Sequence, residues 1–363
     1  MVPTETDHPL NRNLRLNPAD GSAPSGLAGP PLTLLDVPSV DSPWRYARAH
    51  ARSVLAGLIG RQPLRLQAGG SCSAAVSVSP RLSHRWRALF DVPARAATAV
   101  PLLTHQSVST LLHARLVADL GIKLRDLLHL QHRSSHPAGV AAFVRTREQR
   151  LSCTVQRVLR LGEDRVLVEV RTLVSAADGR LVATVEDGFL VSHLPPAALA
   201  GLPSDRLLLR DLLGLRRRLP RLSITEGDAR VAAMPVPHDM GLAYGRISGD
   251  IHLARCCRLG AWLSGLKRPV LQGLALRNLV VRHGAELGLP LDGVQLTFAS
   301  PAYLGQQLLL VALGGDIEVH NGLGRLVAFG RCAAAAADVA ADVAKPADAA
   351  DAAGADQVLA QAA

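Results

Sequence analysis

Tyr244-Gly-Arg-Ile-Ser-Gly-Asp-Ile-His252, then Leu253-Ala-Arg-Cys-Cys-Arg-Leu-Gly-Ala-Trp-Leu-Ser-Gly265 and Arg268-Pro-Val-Leu-Gln-Gly273, is the stretch on which the reading of this chain turns. It sets a carboxylate, Asp250, two residues from an imidazole, His252, just after a glycine turn. It then presents Gly273 where a second apolar helix begins. The first N–H groups of a helix have no partner inside it, so such a glycine can hold a developing oxyanion beside an acid–base pair.

Working outward, the stretch is flanked by two similar successions of elements. On the N-terminal side, Leu102 to Leu120 reads as a long apolar helix ended by Gly121. Strand-like runs follow at Leu127 to Arg133, Gln149 to Leu159, Arg165 to Ser175 and Leu181 to Ser192, with Ala177-Asp-Gly179 as a hairpin turn. On the C-terminal side, Pro269 to Leu287 reads as a second long helix, followed by runs at Gly293 to Ala299, Gln307 to Leu313, Asp316 to Val319 and Arg325 to Phe329. Ser223 to Met234 reads as turn and strand. Helix then antiparallel strands, twice, predicts an α+β protein of two repeats.

The ends differ from the middle. Residues 1–35 are rich in Pro, Asn, Gly and Ser and read as a disordered lead, and residues 336–363 as an Ala/Asp-rich disordered tail. Between them the expected repeats span 36–200 and 201–335. Pro43 to Leu58 has the spacing of a packed helix (Trp44, Ala47, Ala51, Leu55, Leu58), and Leu215 to Pro220 holds a solvated arginine cluster.

Composition narrows the function classes. The chain has 363 residues, 48% hydrophobic but only 3% aromatic, so its core must be built mainly of Leu, Val and Ala. No apolar run approaches the roughly 20 residues of a membrane span, and the N-terminus lacks a secretory pattern, so a cytoplasmic protein is expected. The formal net charge of +10 suits a substrate carried on a phosphate-rich handle. Nucleic-acid binding is disfavoured, because the arginines are scattered and stacking aromatics are scarce.

Five cysteines without a C-x-x-C pair indicate neither a zinc site nor a disulfide framework, and Cys256 and Cys257 read as buried small hydrophobes. His105 and His113, eight residues apart, read as core or tunnel histidines. His129, His132 and His136 fall on strand and loop with no acidic or cysteine neighbour, so no metal site is expected there. Asp316 and Glu318 read as a solvated pair on one strand face.

Tyr244-x-x-Ile247-Ser-Gly-Asp250, with Pro269-Val-Leu-Gln-Gly-Leu274 after it, resembles the signature of the MaoC-like acyl dehydratases, the (R)-specific enoyl-CoA hydratase family. The spacing from Asp250 to Gly273 (273 − 250 = 23) is similar to the family's. Leu296-Thr-Phe-Ala-Ser-Pro-Ala-Tyr-Leu-Gly305 resembles the strand after the family's helix, and Val100-Pro-Leu-Leu-Thr-His105 the helix start of its non-catalytic repeat. The resemblance covers roughly residues 85–332. It implies a double hotdog, two long helices each wrapped by an antiparallel sheet, in which the N-terminal repeat is non-catalytic. It also implies hydration or dehydration of an acyl thioester in fatty acid metabolism. Asp250 and His252 would be catalytic and the N–H of Gly273 the oxyanion donor. Tyr244, Ser248, Gly249, Arg255 and Gln272 would line the substrate. The resemblance implies no cofactor or metal; the partner is a coenzyme A or acyl carrier protein thioester, and a homodimer is compatible with it. The chain departs from the family's signature in three places. The Asn-Pro after the aspartate is missing, Arg255 falls on the ungapped histidine position, and Gln272 replaces the histidine before the glycine. A catalytically degenerate thioester-binding protein is therefore the alternative.

Overall fold

The computed structural model describes residues 64–122, 127–204, 228–251, 253–263 and 266–334. The expected lead, tail, Pro43–Leu58 helix and Leu215–Pro220 arginine cluster lie outside the described residues, as does His252.

The first half runs β1 (Ser71–Ser77), α1 (Pro80–Leu89), α2 (Gln106–Asp119), β2 (Leu127–Ser135), α3 (Val140–Arg145), β3 (Glu148–Arg160), β4 (Val166–Ala176) and β5 (Leu181–Val191). The second runs β6 (Arg230–Pro235), α4 (Met240–Ser248), α5 (Leu253–Cys256), α6 (Arg258–Leu263), α7 (Gly273–Glu286), β7 (Gly293–Phe298), β8 (Gln307–Leu313), β9 (Asp316–Asn321) and β10 (Leu326–Ala333). All ten strands form one sheet in the order β1-β3-β4-β5-β2-β7-β10-β9-β8-β6, every neighbouring pair antiparallel. The order is the same read from either end: each half contributes five strands, and β2 and β7 meet at the seam.

The sequence expected the strands of both repeats but missed β1 and α1. The first turn of α1 is locally encoded: Ser79 caps it by accepting a hydrogen bond from the Leu82 N–H (3.1 Å), and Pro80 occupies the first position, where a missing N–H costs nothing. Helix α1 packs against its counterpart α4 through fully buried Trp86, stacked on Phe90 (6.0 Å) and edge-on to Tyr244 (5.7 Å). Tyr244 therefore sits on a helix, its ring packed against α1.

The two long helices are shorter than expected. Helix α7 starts at Gly273 because the preceding residues pair with the chain beyond β7: Leu271 N–H donates to Ala302 O (2.7 Å), and Val270 bridges Tyr303. Both long helices are buried nearly all round, including polar positions such as Gln106, Ser107, Asn278 and Arg277.

Arg277 sits at the seam with no exposed surface. It donates to the Pro101 carbonyl, to Ser134 Oγ (2.9 Å) and to Asn278 Oδ1 (3.1 Å), tying α7 to β2 and to the segment before α2. Burial pushes its guanidinium down to about 10. Arg277→Ala opens a cavity and strands those acceptors, so it should lower the unfolding free energy by about 3 kcal/mol, read from the denaturant midpoint.

Two smaller expectations are corrected. Glu318 is buried and hydrogen-bonded to His320 Nε2 (2.7 Å), while Asp316 pairs with Arg331 (3.8 Å), so they are not a solvated pair. Cys257, expected to be buried, is exposed, whereas Cys72, Cys153 and Cys332 are buried. No helix among the described residues is long and apolar enough to cross a membrane.

Candidate active site

Helix α7 begins with a glycine at the seam, and two groups of polar residues converge on that end. The first comes from the Tyr244–Gly273 stretch. Met240 to Ser248 is helical, and Gly249 ends it in the left-handed conformation (φ 74°), its N–H bonded to Gly245 O (2.8 Å). That reversal brings the Asp250 N–H onto buried Ser248 Oγ (3.2 Å). The Asp250 carboxylate then pairs with the Arg255 guanidinium, both partly exposed. So the residue on the ungapped histidine position is the direct partner of the candidate acid.

Gln272 stands at the cap position of α7 but does not cap it. Its amide nitrogen donates instead to Gly241 O (3.1 Å) and Asp250 O (3.3 Å), which ties the Asp250 loop to the residue before Gly273. Of the sequence-derived candidates, Asp250, Arg255, Gln272 and Gly273 are thus brought together. Tyr244, expected to line the substrate, is packed in the α1–α4 contact at 1% exposure.

The second group comes from the other half and was missed in the sequence. The buried Asp187 carboxylate on β5 accepts from His132 Nδ1 (2.8 Å) and His129 Nε2 (3.0 Å) through one oxygen. His129 and His132 are three apart and would face opposite sides of a regular strand, but the β2–β5 register shifts between His129 and Gln131, and that bulge turns both rings to Asp187. These histidines do have an acidic partner, contrary to expectation.

An ionised carboxylate only accepts, so each facing ring nitrogen carries its proton; in neutral His129 this leaves Nδ1 as a lone pair. Burial raises the Asp187 carboxyl, but the adjacent imidazoles and their N–H donors outweigh it and hold it well below the usual range. Burial pushes His132 down to about 4, so it stays neutral at pH 7. The three donor groups lie within 4.8 Å of one another and could take a divalent cation if both facing nitrogens gave up their protons.

His129 lies between Phe189 and Phe298, ring centroids 5.0 Å from each. Its Nδ1 faces Gly273: a Cβ built there would stand 3.0 Å from it and 3.1 Å from the Phe298 ring. By contrast, α2 begins at buried His105 and Gln106, with Phe143 edge-on to His105 (5.7 Å), so the matching end in the first half is filled.

Each long helix is therefore wrapped by five antiparallel strands, and the halves join edge to edge through β2 and β7. Solved structures share this arrangement. HtdX of Mycobacterium tuberculosis aligns at 15% identity and TM-score 0.51 over 72% of this chain and 98% of its own. A MaoC-like dehydratase from Phytophthora capsici aligns at 15% identity and TM-score 0.51 over 74% and 96%. A further MaoC-like dehydratase aligns at 12% identity and TM-score 0.54 over 74% and 99%. The chain is a double hotdog. At these identities the likeness establishes the fold that this double hotdog shares with MaoC-like dehydratases. No protein-family model and no curated protein matches its sequence.

Proposed function

We propose that this double hotdog adds water to a 2-enoyl thioester, or removes it from the (R)-3-hydroxyacyl form, with the thioester oxygen on the N–H of Gly273. The observation that carries the reading is the start of α7, which no side chain caps because Gln272 turns its amide to the Asp250 loop. A fixed N–H donor there stabilises the enolate-like oxygen as charge develops.

In this reading the C-terminal repeat, residues 201–335, supplies the oxyanion donor and the chemistry at C3. Asp250, with His252 beside it in sequence, handles the oxygen at C3, while Ser248, Gly249, Arg255, Gln272 and Tyr244 shape that side. The N-terminal repeat, residues 36–200, widens the acyl pocket. The net charge of +10 supports a phosphate-bearing handle, coenzyme A or an acyl carrier protein, met in the cytoplasm by a monomer or homodimer.

The Asp250–Arg255 pair favours a second reading, a hotdog that binds acyl thioesters without turning them over. Hydration of crotonyl-CoA and longer 2-enoyl-CoA substrates separates the two. Under the first reading Asp250→Asn lowers kcat by about 100-fold. Tight acyl-CoA binding without turnover at any chain length, on coenzyme A or carrier protein, would establish the second.

A further inference from the structure

We infer that His129, held by Asp187 from the N-terminal repeat, is a catalytic residue that exchanges the C2 proton of a thioester bound at Gly273. This deepens the proposed hydro-lyase reading and rests on it.

Three observations meet here. The tautomer is set by Asp187, which takes the proton-bearing Nε2 and leaves Nδ1 as an acceptor. The direction is set by packing, because Phe189 and Phe298 hold the ring so that Nδ1 faces Gly273. Access is set by exposure: the His129 side chain keeps 11% of its surface, against 0% for His132 and 1% for Asp187. A thioester whose oxygen lies on the Gly273 N–H would have its α-carbon one bond from the carbonyl carbon, beside the same residue that Nδ1 borders. The Asp250 loop reaches the same helix end through Gln272, so the two groups approach from different repeats.

In the dehydrating direction Nδ1 takes the proton from C2. The C–H electron pair forms the C1–C2 double bond of an enolate whose oxygen rests on Gly273. The enolate then re-forms the carbonyl, makes the C2–C3 double bond and releases the C3 oxygen, which takes a proton from solvent on the Asp250 side and leaves as water. The imidazolium, steadied by the Asp187 carboxylate, returns its proton to solvent, which restores His129 as the base and balances the proton taken up at C3; hydration is the reverse. Asp187 is a positioning residue in this scheme, and His132 satisfies its remaining charge.

The test is crotonyl-CoA hydration by the full chain carrying His129→Gln, His129→Phe or His129→Ala, with folding followed by circular dichroism and thermal midpoint. The expected result is a fall in kcat of about 100- to 1,000-fold for all three, with partial recovery of His129→Ala by added imidazole. His129→Phe keeps the aromatic stack, so its inactivity would not reflect lost packing. Asp187→Asn should lower kcat with KM unchanged and without imidazole rescue. A folded His129→Gln with wild-type kcat, or a folded His129→Ala that imidazole does not restore, overturns the role of His129 alone. Absence of turnover by the wild-type chain at every chain length overturns the hydro-lyase reading and this inference together.

Discussion

Acidification should unfold this protein cooperatively between about pH 6.5 and 4, above the range in which ordinary surface carboxylates titrate. Burial lowers His132 from 6.5 to about 4, and His105 and His136 from 6.5 to about 3; it lowers His113 as well. Each is a base whose folded-state value lies below its unfolded one. The unfolded chain therefore binds more protons as the pH drops through 6.5, and stability falls with it. The contribution is fully present above 6.5 and is lost on the way down to the folded values. At pH 5, three groups at roughly 1.4 kcal/mol per pH unit give about 6 kcal/mol, comparable with the whole stability of a typical domain. Asp187 has the same sign but lies lower, so it adds to the loss only after the imidazoles.

His136 separates this cause from others. Both its ring nitrogens are buried without a hydrogen-bond partner, and it meets Phe143 edge-on at 4.6 Å. His136→Leu removes a proton acceptor from the unfolded chain and should move the acid midpoint to lower pH. Tryptophan fluorescence against pH would check both statements. A midpoint below pH 4 that His136→Leu does not move would overturn them.

Gly273→Ala should reduce thioester turnover by about 100- to 1,000-fold, the range seen when a single oxyanion donor is lost. The added methyl would meet His129 Nδ1 at 3.0 Å and the Phe298 ring at 3.1 Å, tighter than ordinary contact. Either His129 and Phe298 move back, taking the imidazole out of line, or the start of α7 shifts and the N–H is re-aimed. Alanine itself suits a helix start, but relieving these contacts should lower the thermal midpoint by roughly a few degrees. A folded Gly273→Ala with wild-type kcat/KM would remove the oxyanion role from this position. Parallel scans of turnover and thermal unfolding distinguish that result from simple destabilisation.

Much of the fold is written locally. The strands show alternation or continuous apolar runs, and α2 and α7 show lengths of apolar sequence that only a wrapped helix needs. Where expectation and structure part, the cause is not local. Helix α7 starts late because Leu271 and Val270 pair with residues beyond β7. Strand β1 was missed because Ser71-Cys-Ser-Ala-Ala-Val-Ser77 is too small and polar to announce itself, and it is held by its ladder with β3.

The candidate site divides the same way. Gly273 was legible, since a glycine at the head of an apolar helix leaves both space and a free N–H. Asp250 was legible as a carboxylate after a glycine turn, and Arg255 as the residue on the ungapped histidine position; that the two pair is what the structure adds.

By itself, then, the sequence determined the two long helices, most of the strands that follow each and the glycine at the start of α7. It could do so because helix and strand periodicities and capping preferences act over a few residues. The tertiary structure alone decided that Asp250 meets Arg255 and that His129 and His132 meet Asp187, more than fifty positions away. The first follows from the reversal at Gly249; the second depends on strand register, and a single bulge in β2 turns to one side two rings that strict alternation would have set apart.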